Sequence, residues 1–201
     1  MVWVLFDYGQ VISHAQPADA MAGMARAAAA DPEAFEAAYW RHRDAYDGAE
    51  HTQHSYWSAV ADSRGTPVDE ALAAALDALD VDSWLHPSDE TLAVIRDLQA
   101  AGASLALLSN APELHAQRIA AQEWMRPFGE HLYFSAHLRV IKPSPDIYAR
   151  VLELLGAQPS DVIFVDDKAV NIAAAAALGI RTIHFTSPAQ LRRELVAAGA
   201  L

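Results

Sequence analysis

The chain contains no cysteine. That excludes disulfides, thiolate zinc sites and cysteine nucleophiles. It also lacks any apolar run near the roughly 20 residues that a membrane-spanning helix needs. The N-terminus has neither the basic start nor the small-residue cleavage site of a signal peptide. A soluble, cytoplasmic protein without membrane partners is the expectation. Cations are scarce: 14 Lys and Arg stand against 26 Asp and Glu, for a net charge of −12. That balance argues against nucleic acid and anionic membranes as partners. It does not argue against a small anionic substrate, because a bound metal or a few local cations reverse the sign at a site.

What is present is a globular chain of 201 residues, 53% of them hydrophobic, enough for one domain with a core, or one domain carrying an insertion. It opens on Val2-Trp3-Val4-Leu5-Phe6, a short apolar run that reads as a strand buried on both faces. Asp7-Tyr8-Gly9-Gln10 stops it with turn chemistry. Ligands of open α/β sheets bind just outside the carboxyl ends of the strands, which is where Asp7 falls. An Asp that only starts a turn would sit there equally well.

From residue 15 to about 101 the pattern is helical. Helices are predicted over 18–30, over 33–46 after Pro32, after the cap Thr52, over 68–79, and from the cap Ser88 to a stop at Gly102. Tyr39, Trp40, Tyr56 and Trp57 read as the core of this helical block. The rhythm then changes to predicted strands at 104–108, 131–135, 162–165 and 181–185, alternating with helices from Pro112, over 145–155, over 171–178 and from Pro188. Such alternation means a parallel sheet. The expected fold is therefore α/β, a Rossmann-like parallel sheet core from residues 1–14 and 88–201. Residues 15–87 are expected as an α-helical insertion folded over the carboxyl edge.

Three predicted strands end in polar residues at one edge: Asp7, Ser109-Asn110 and Asp166-Asp167. Lys142 precedes Pro143-Ser144-Pro145. Singly these are ordinary caps, turns and surface charges. Jointly, three carboxylates, a hydroxyl and a lysine make a hard-cation site with an anion-binding partner. That set suits phosphoryl transfer, in which metal and lysine offset charge and a carboxylate attacks.

Four segments then carry a resemblance: Leu5-Phe6-Asp7-Tyr8-Gly9-Gln10-Val11-Ile12, Leu107-Leu108-Ser109-Asn110, Ile141-Lys142-Pro143-Ser144-Pro145-Asp146-Ile147-Tyr148, and Phe164-Val165-Asp166-Asp167 with Asn171. In this order they resemble the motifs of the haloacid dehalogenase superfamily, in the branch with a helical cap after the first strand that contains small sugar-phosphate phosphatases. The resemblance implies Asp7 as nucleophile, Ser109 and Lys142 as catalytic partners, and Asn110 orienting the phosphoryl group. It implies Mg2+ held by Asp7, the Gly9 carbonyl and Asp167, with Asp166 close by or acting through water. The implied substrate is a small phosphorylated molecule.

One position departs from that pattern. The phosphatases carry a second Asp two residues after the nucleophile, which protonates the leaving alcohol; here it is Gly9. Loss of general acid–base catalysis is worth about 10²–10⁴ in rate. A slow phosphatase, an enzyme for good leaving groups and a silent ligand-binding protein all fit the change. A 2-haloacid dehalogenase also lacks that Asp, but it does not need the paired Asp166-Asp167.

Arg41, His42, Arg43, His51 and His54 surround the Asp47-Gly48 turn. Arg41 and His42, with Gln10, are the candidate substrate contacts, against the alternative that they are solvated surface residues. His115, His131, His137 and His184 form no metal set by spacing. The sequence leaves monomer and homodimer open.

Overall fold

The computed structural model describes residues 2–201; Met1, the first residue of the expected core segment, lies outside the described residues. Five strands form one parallel sheet: β1 (Trp3–Phe6), β2 (Ser104–Ser109), β3 (Leu132–Phe134), β4 (Val162–Asp166) and β5 (Arg181–His184), in the order β3-β2-β1-β4-β5. The chain moves outward from β1 through β2 to β3, then returns to start again at β4. The sheet's switch point therefore lies between β1 and β4, the place where open α/β sheets bind ligands. Phe6 pairs with Val165 and with Leu107. One step further along, this register sets Asp7 beside Asp166 and one residue short of Ser109.

The strands alternate sides, as a pleated sheet buried on both faces requires. Val4, Phe6, Leu105, Leu107, Ile163 and Val165 join one core cluster, shared with α5 (Asp89–Ala100), α6 (Glu113–Ala120) and α10 (Pro188–Ala197). Leu5, Ala106, Leu108, Val162 and Phe164 join another, against α8 (Pro145–Leu155) and α9 (Ala169–Ala177). Local chemistry starts these helices where the sequence places them. The Ser88 side chain accepts from the Thr91 amide, Ser144 precedes Pro145 at the first turn of α8, and Gly156 ends that helix at φ 61°.

Helices α1 (Ala20–Ala27), α2 (Pro32–Asp47), α3 (Gln53–Val60) and α4 (Glu70–Trp84) build a third core of their own, around Met24, Phe35, Tyr39, Tyr46, Tyr56, Trp57 and Leu76. The chain leaves for this block and returns from it side by side. Ser13 bridges Pro87, and the His14 and Ser88 amides donate to His86 and Ile12 carbonyls at 2.8 Å. Trp40 departs from the expected core role: it is 50% exposed. The sequence pattern also passes over α7 (Ser135–Leu138) and the 3-10 turns at Asp62–Arg64, Glu123–Phe128 and Pro159–Asp161, which are too short for a periodic signal. Among the described residues no helix is long and apolar enough to cross a membrane.

Candidate active site

A cavity of about 160 Å³ opens at the carboxyl edge, lined by Asp7, Gly9, Gln10, Ser109, Asn110, Lys142, Asp167 and Asn171 from the sheet side. Asp7 leaves β1 with its amide donating to the Val165 carbonyl at 2.9 Å. Lys142 Nζ stands 2.7 Å from Asp7 Oδ1 and 2.8 Å from Asp166 Oδ2, in a site where all three side chains are buried. Asn110 fixes the backbone that carries this lysine: its Nδ2 donates to the Lys142 carbonyl at 2.9 Å, and its Oδ1 accepts from the Lys142 amide at 2.8 Å.

The paired aspartates are unequal. Asp166 is fully buried and accepts from Lys142 Nζ, from Asn171 Nδ2 at 3.0 Å to both oxygens, and from the Lys168 amide at 2.8 Å. Asp167 Oδ1 is buried with no hydrogen-bond partner. Ligand oxygens of Asp7, Asp166 and Asp167 lie within 4.8 Å of one another. The Val11, Ile12 and Ser13 amides all turn to the Tyr8 carbonyl, and none reaches the Gly9 carbonyl. Two carboxylates with capacity to spare and a carbonyl without a backbone donor are a donor set for a hard divalent cation. The orphaned Asp167 oxygen is the observation that favours a ligand there, since unsatisfied buried polar atoms are rare and costly.

The electrostatics agree. Burial pushes the Asp7 carboxyl up to about 7; Lys142 pulls it down, and Asp166 adds to the rise. Burial alone would depress the Lys142 ammonium, but Asp7 and Asp166 outweigh it and raise its pKa. Burial and the adjacent Asp166 also raise Asp167. Carboxylates crowded out of water in this way are stabilised as anions by a cation.

The opposite wall comes from the helices. Trp40, Arg43, Asp44 and Asp47 of α2 line the cavity, with Trp84 of α4 and with His115 and Ile119 of α6. Positions 40, 43, 44 and 47 are one helical stripe. Arg41 is exposed, and His42 is half-buried with its ring 5.7 Å from that of His51. Neither lines the cavity, because each residue of a helix turns about 100° from the last. Gln10 does line it, from a left-handed backbone position at φ 60°.

Arg43 had a signal in the sequence that composition hides: Tyr39, Arg43 and Asp47 follow at i, i+4, i+8. Arg43 Nε donates to Asp47 Oδ1 at 2.7 Å, and Nη1 donates to Asp80 Oδ2 at 2.8 Å. His115 Nε2 lies 3.2 Å from the same Asp80 oxygen. Asp77, Asp80 and His115 also present ligand atoms within 4.8 Å of one another. Their oxygens are nevertheless taken. Asp77 accepts from Tyr46, Trp57 and Gln53, and Asp80 from Tyr39, Gln16 and Arg43. Each of these carboxylate oxygens thus already has at least one donor, although both His115 ring nitrogens are buried without a hydrogen-bond partner.

Residues 4–179 match the family model for haloacid dehalogenase-like hydrolases. The chain is 31% identical over 104 residues to the sesquiterpene phosphatase astK of Aspergillus oryzae, a match that covers 51% of this chain and 52% of that protein. The chain thus spans about half the length of that relative. It superposes on a haloacid dehalogenase family enzyme from Bacteroides thetaiotaomicron, solved as a magnesium complex, with a TM-score of 0.74 at 20% identity, covering 92% of this chain and 93% of that one. It is similarly alike to the L-2-haloacid dehalogenase of Xanthobacter autotrophicus, solved with chloropropionic acid covalently bound, with a TM-score of 0.67 at 22% identity, covering 100% and 85%. These structural likenesses concern the fold. With the family model spanning most of its length, the chain belongs to the haloacid dehalogenase-like hydrolases.

Proposed function

We propose that this hydrolase is a magnesium-dependent phosphatase of small phosphorylated molecules, acting through an aspartyl-phosphate on Asp7. Residues 15–87 serve as its helical cap, and residues 1–14 and 88–201 as its core. The observation that carries this reading is Lys142 clamped between Asp7 and Asp166, beside the unpartnered oxygen of Asp167. A carboxylate attacking a phosphate dianion is like-charge chemistry and needs cations on the spot.

Each residue has a task. Asp7 attacks phosphorus. The Lys142 ammonium offsets charge on Asp7 and on the phosphoryl oxygens. Ser109 donates its hydroxyl to a phosphoryl oxygen. Asn110, whose side chain is engaged with the Lys142 backbone, holds the lysine in place and leaves its own main chain to orient the phosphoryl group. Asp7, Asp167 and the Gly9 carbonyl would hold the metal. Asp166, already accepting from several donors, acts through water and fixes Lys142. The metal supplies neutralisation of phosphoryl charge when bound. Magnesium is supported by the all-oxygen donor set and by the magnesium complex of the Bacteroides protein.

The test is phosphate release from a panel of sugar phosphates, nucleotides and p-nitrophenyl phosphate, with magnesium and with chelator. Turnover that needs both the metal and Asp7 is the expected result. Halide release from 2-haloacids in the presence of chelator, with no phosphate release, would replace this reading by a dehalogenase. Tight binding of phosphate esters without turnover would replace it by a binding protein.

A further inference from the structure

We infer that the leaving group this site accepts is a flat aromatic ring, so that its substrate is an aryl phosphate; this rests on the phosphatase reading above. The cavity is divided. Its floor is charged, with Asp7, Lys142 and Asp167, whereas the wall facing that floor is mixed and sets Trp40, Trp84 and Ile119 beside Arg43, Asp44, Asp47 and His115.

Trp40 is not an ordinary core residue, and Trp84 packs on the core while also lining the cavity. Trp40 is 50% exposed at the cavity, an uncovered indole on the same helical stripe as Arg43 and Asp47. Its ring is nonetheless held, edge-on to Tyr39 with centroids 4.8 Å apart. Trp84 comes from the last turn of α4 and reaches the loop after Asp7. A Cβ built on Gly9 would stand 3.4 Å from Trp84 Cζ3. The indole thus covers the residue two past the attacking carboxylate, so apolar surface adjoins the reacting centre. The Trp84 indole N–H is buried and has no partner. A planar group laid against the exposed Trp40 indole gains offset or edge-on stacking that an alkyl chain or a polyhydroxylated sugar does not.

The chemistry points the same way. Gly9 offers no acid, and an indole N–H does not protonate an oxygen. A phenol ionises near pH ~10, so a phenolate leaves without help. The Asp7–phosphorus bond forms as the bond from phosphorus to the aryl oxygen breaks. The phenolate departs with the electron pair and takes its proton from solvent. Water then adds to phosphorus, the Asp7 carboxylate leaves with its electrons, and the water's proton passes to solvent. The sum is aryl phosphate plus water giving phenol and inorganic phosphate.

The experiment compares kcat and KM for phenyl phosphate and glycerol phosphate in the wild type, Trp40→Ala, Trp40→Phe and Trp84→Ala. Expected is a preference for phenyl phosphate of about 10²-fold or more in kcat/KM, from the missing acid. Trp40→Ala should raise the KM for phenyl phosphate about tenfold more than that for glycerol phosphate, and Trp40→Phe should restore the difference. Because Trp40 is half exposed, its truncation leaves the core intact even where Trp84→Ala misfolds. Equal use of both esters, with KM values indifferent to Trp40, would overturn the inference while leaving the phosphatase standing. No Asp7-dependent phosphate release from either ester would overturn the phosphatase reading itself.

Discussion

Two buried acidic clusters flank one cavity, and they differ in what is left unsatisfied. At the sheet edge, Asp7, Asp166 and Asp167 surround Lys142, and Asp167 Oδ1 has no partner. In the helical block, Asp80 and Asp47 pair with Arg43, Asp77 stands beside Asp80 and His115, and tyrosine, tryptophan, glutamine and arginine donors reach the Asp77 and Asp80 oxygens. Both bring three ligand-type residues within 4.8 Å. Proximity alone does not separate a metal-binding carboxylate from a structural one; a carboxylate oxygen buried without any donor does. The lysine cluster holds the one carboxylate oxygen among these aspartates that is buried without a donor. In the arginine cluster the Asp77 and Asp80 oxygens all have donors and the His115 nitrogens are the unpartnered atoms; it ties α2 to α4 through Arg43 and Asp80 and brings His115 of α6 beside them.

The largest effect that would sharpen this contrast is catalytic. Asp7→Asn should reduce kcat by on the order of 10⁴-fold or more while the protein stays folded, as read by phosphate release beside circular dichroism. Asp80→Ala should act on stability instead. It leaves Arg43 buried beside one remaining carboxylate, and the loss should be about 3–5 kcal/mol in urea unfolding. An unchanged urea midpoint in Asp80→Ala would break the contrast, because the arginine cluster would then be no scaffold.

A pH effect comes next. Burial raises the Asp80 carboxyl, but Arg43 and His115 outweigh it and bring the pKa from 3.8 down to about 2. The unfolded chain therefore binds this proton first. The contribution is fully present above pH ~4 and is lost as pH falls toward ~2, on the order of 2 kcal/mol. The difference in stability between wild type and Asp80→Asn should shrink across that window. The smallest effect belongs to the exposed pair Arg118–Asp82, 2.7 Å apart. Asp82→Ala should shift stability by less than about 1 kcal/mol, since solvent screens such pairs.

The sheet edge was legible in the sequence for a physical reason. A strand buried on both faces reads as an apolar run, and its polar end names the edge residue without any knowledge of rotation. Asp7, Ser109 and Asp166 are found this way. Helix faces are harder, because one residue of phase error turns a side chain by about 100°. Arg41 and His42 carry the right chemistry but lie off the stripe of Trp40, Arg43, Asp44 and Asp47 that meets the cavity. His115 was invisible for another reason: its partner Asp80 is 35 residues away, on a different helix. Trp84 likewise reaches Gly9 only through the fold.

The most direct measurement is a calorimetric titration of magnesium into the wild type, Asp167→Asn and Asp77→Asn. A single site, lost in Asp167→Asn and kept in Asp77→Asn, is the predicted result. Magnesium binding that survives Asp167→Asn but disappears in Asp77→Asn would place the cation in the helical block and contradict the assignment of the sheet edge as the reactive centre.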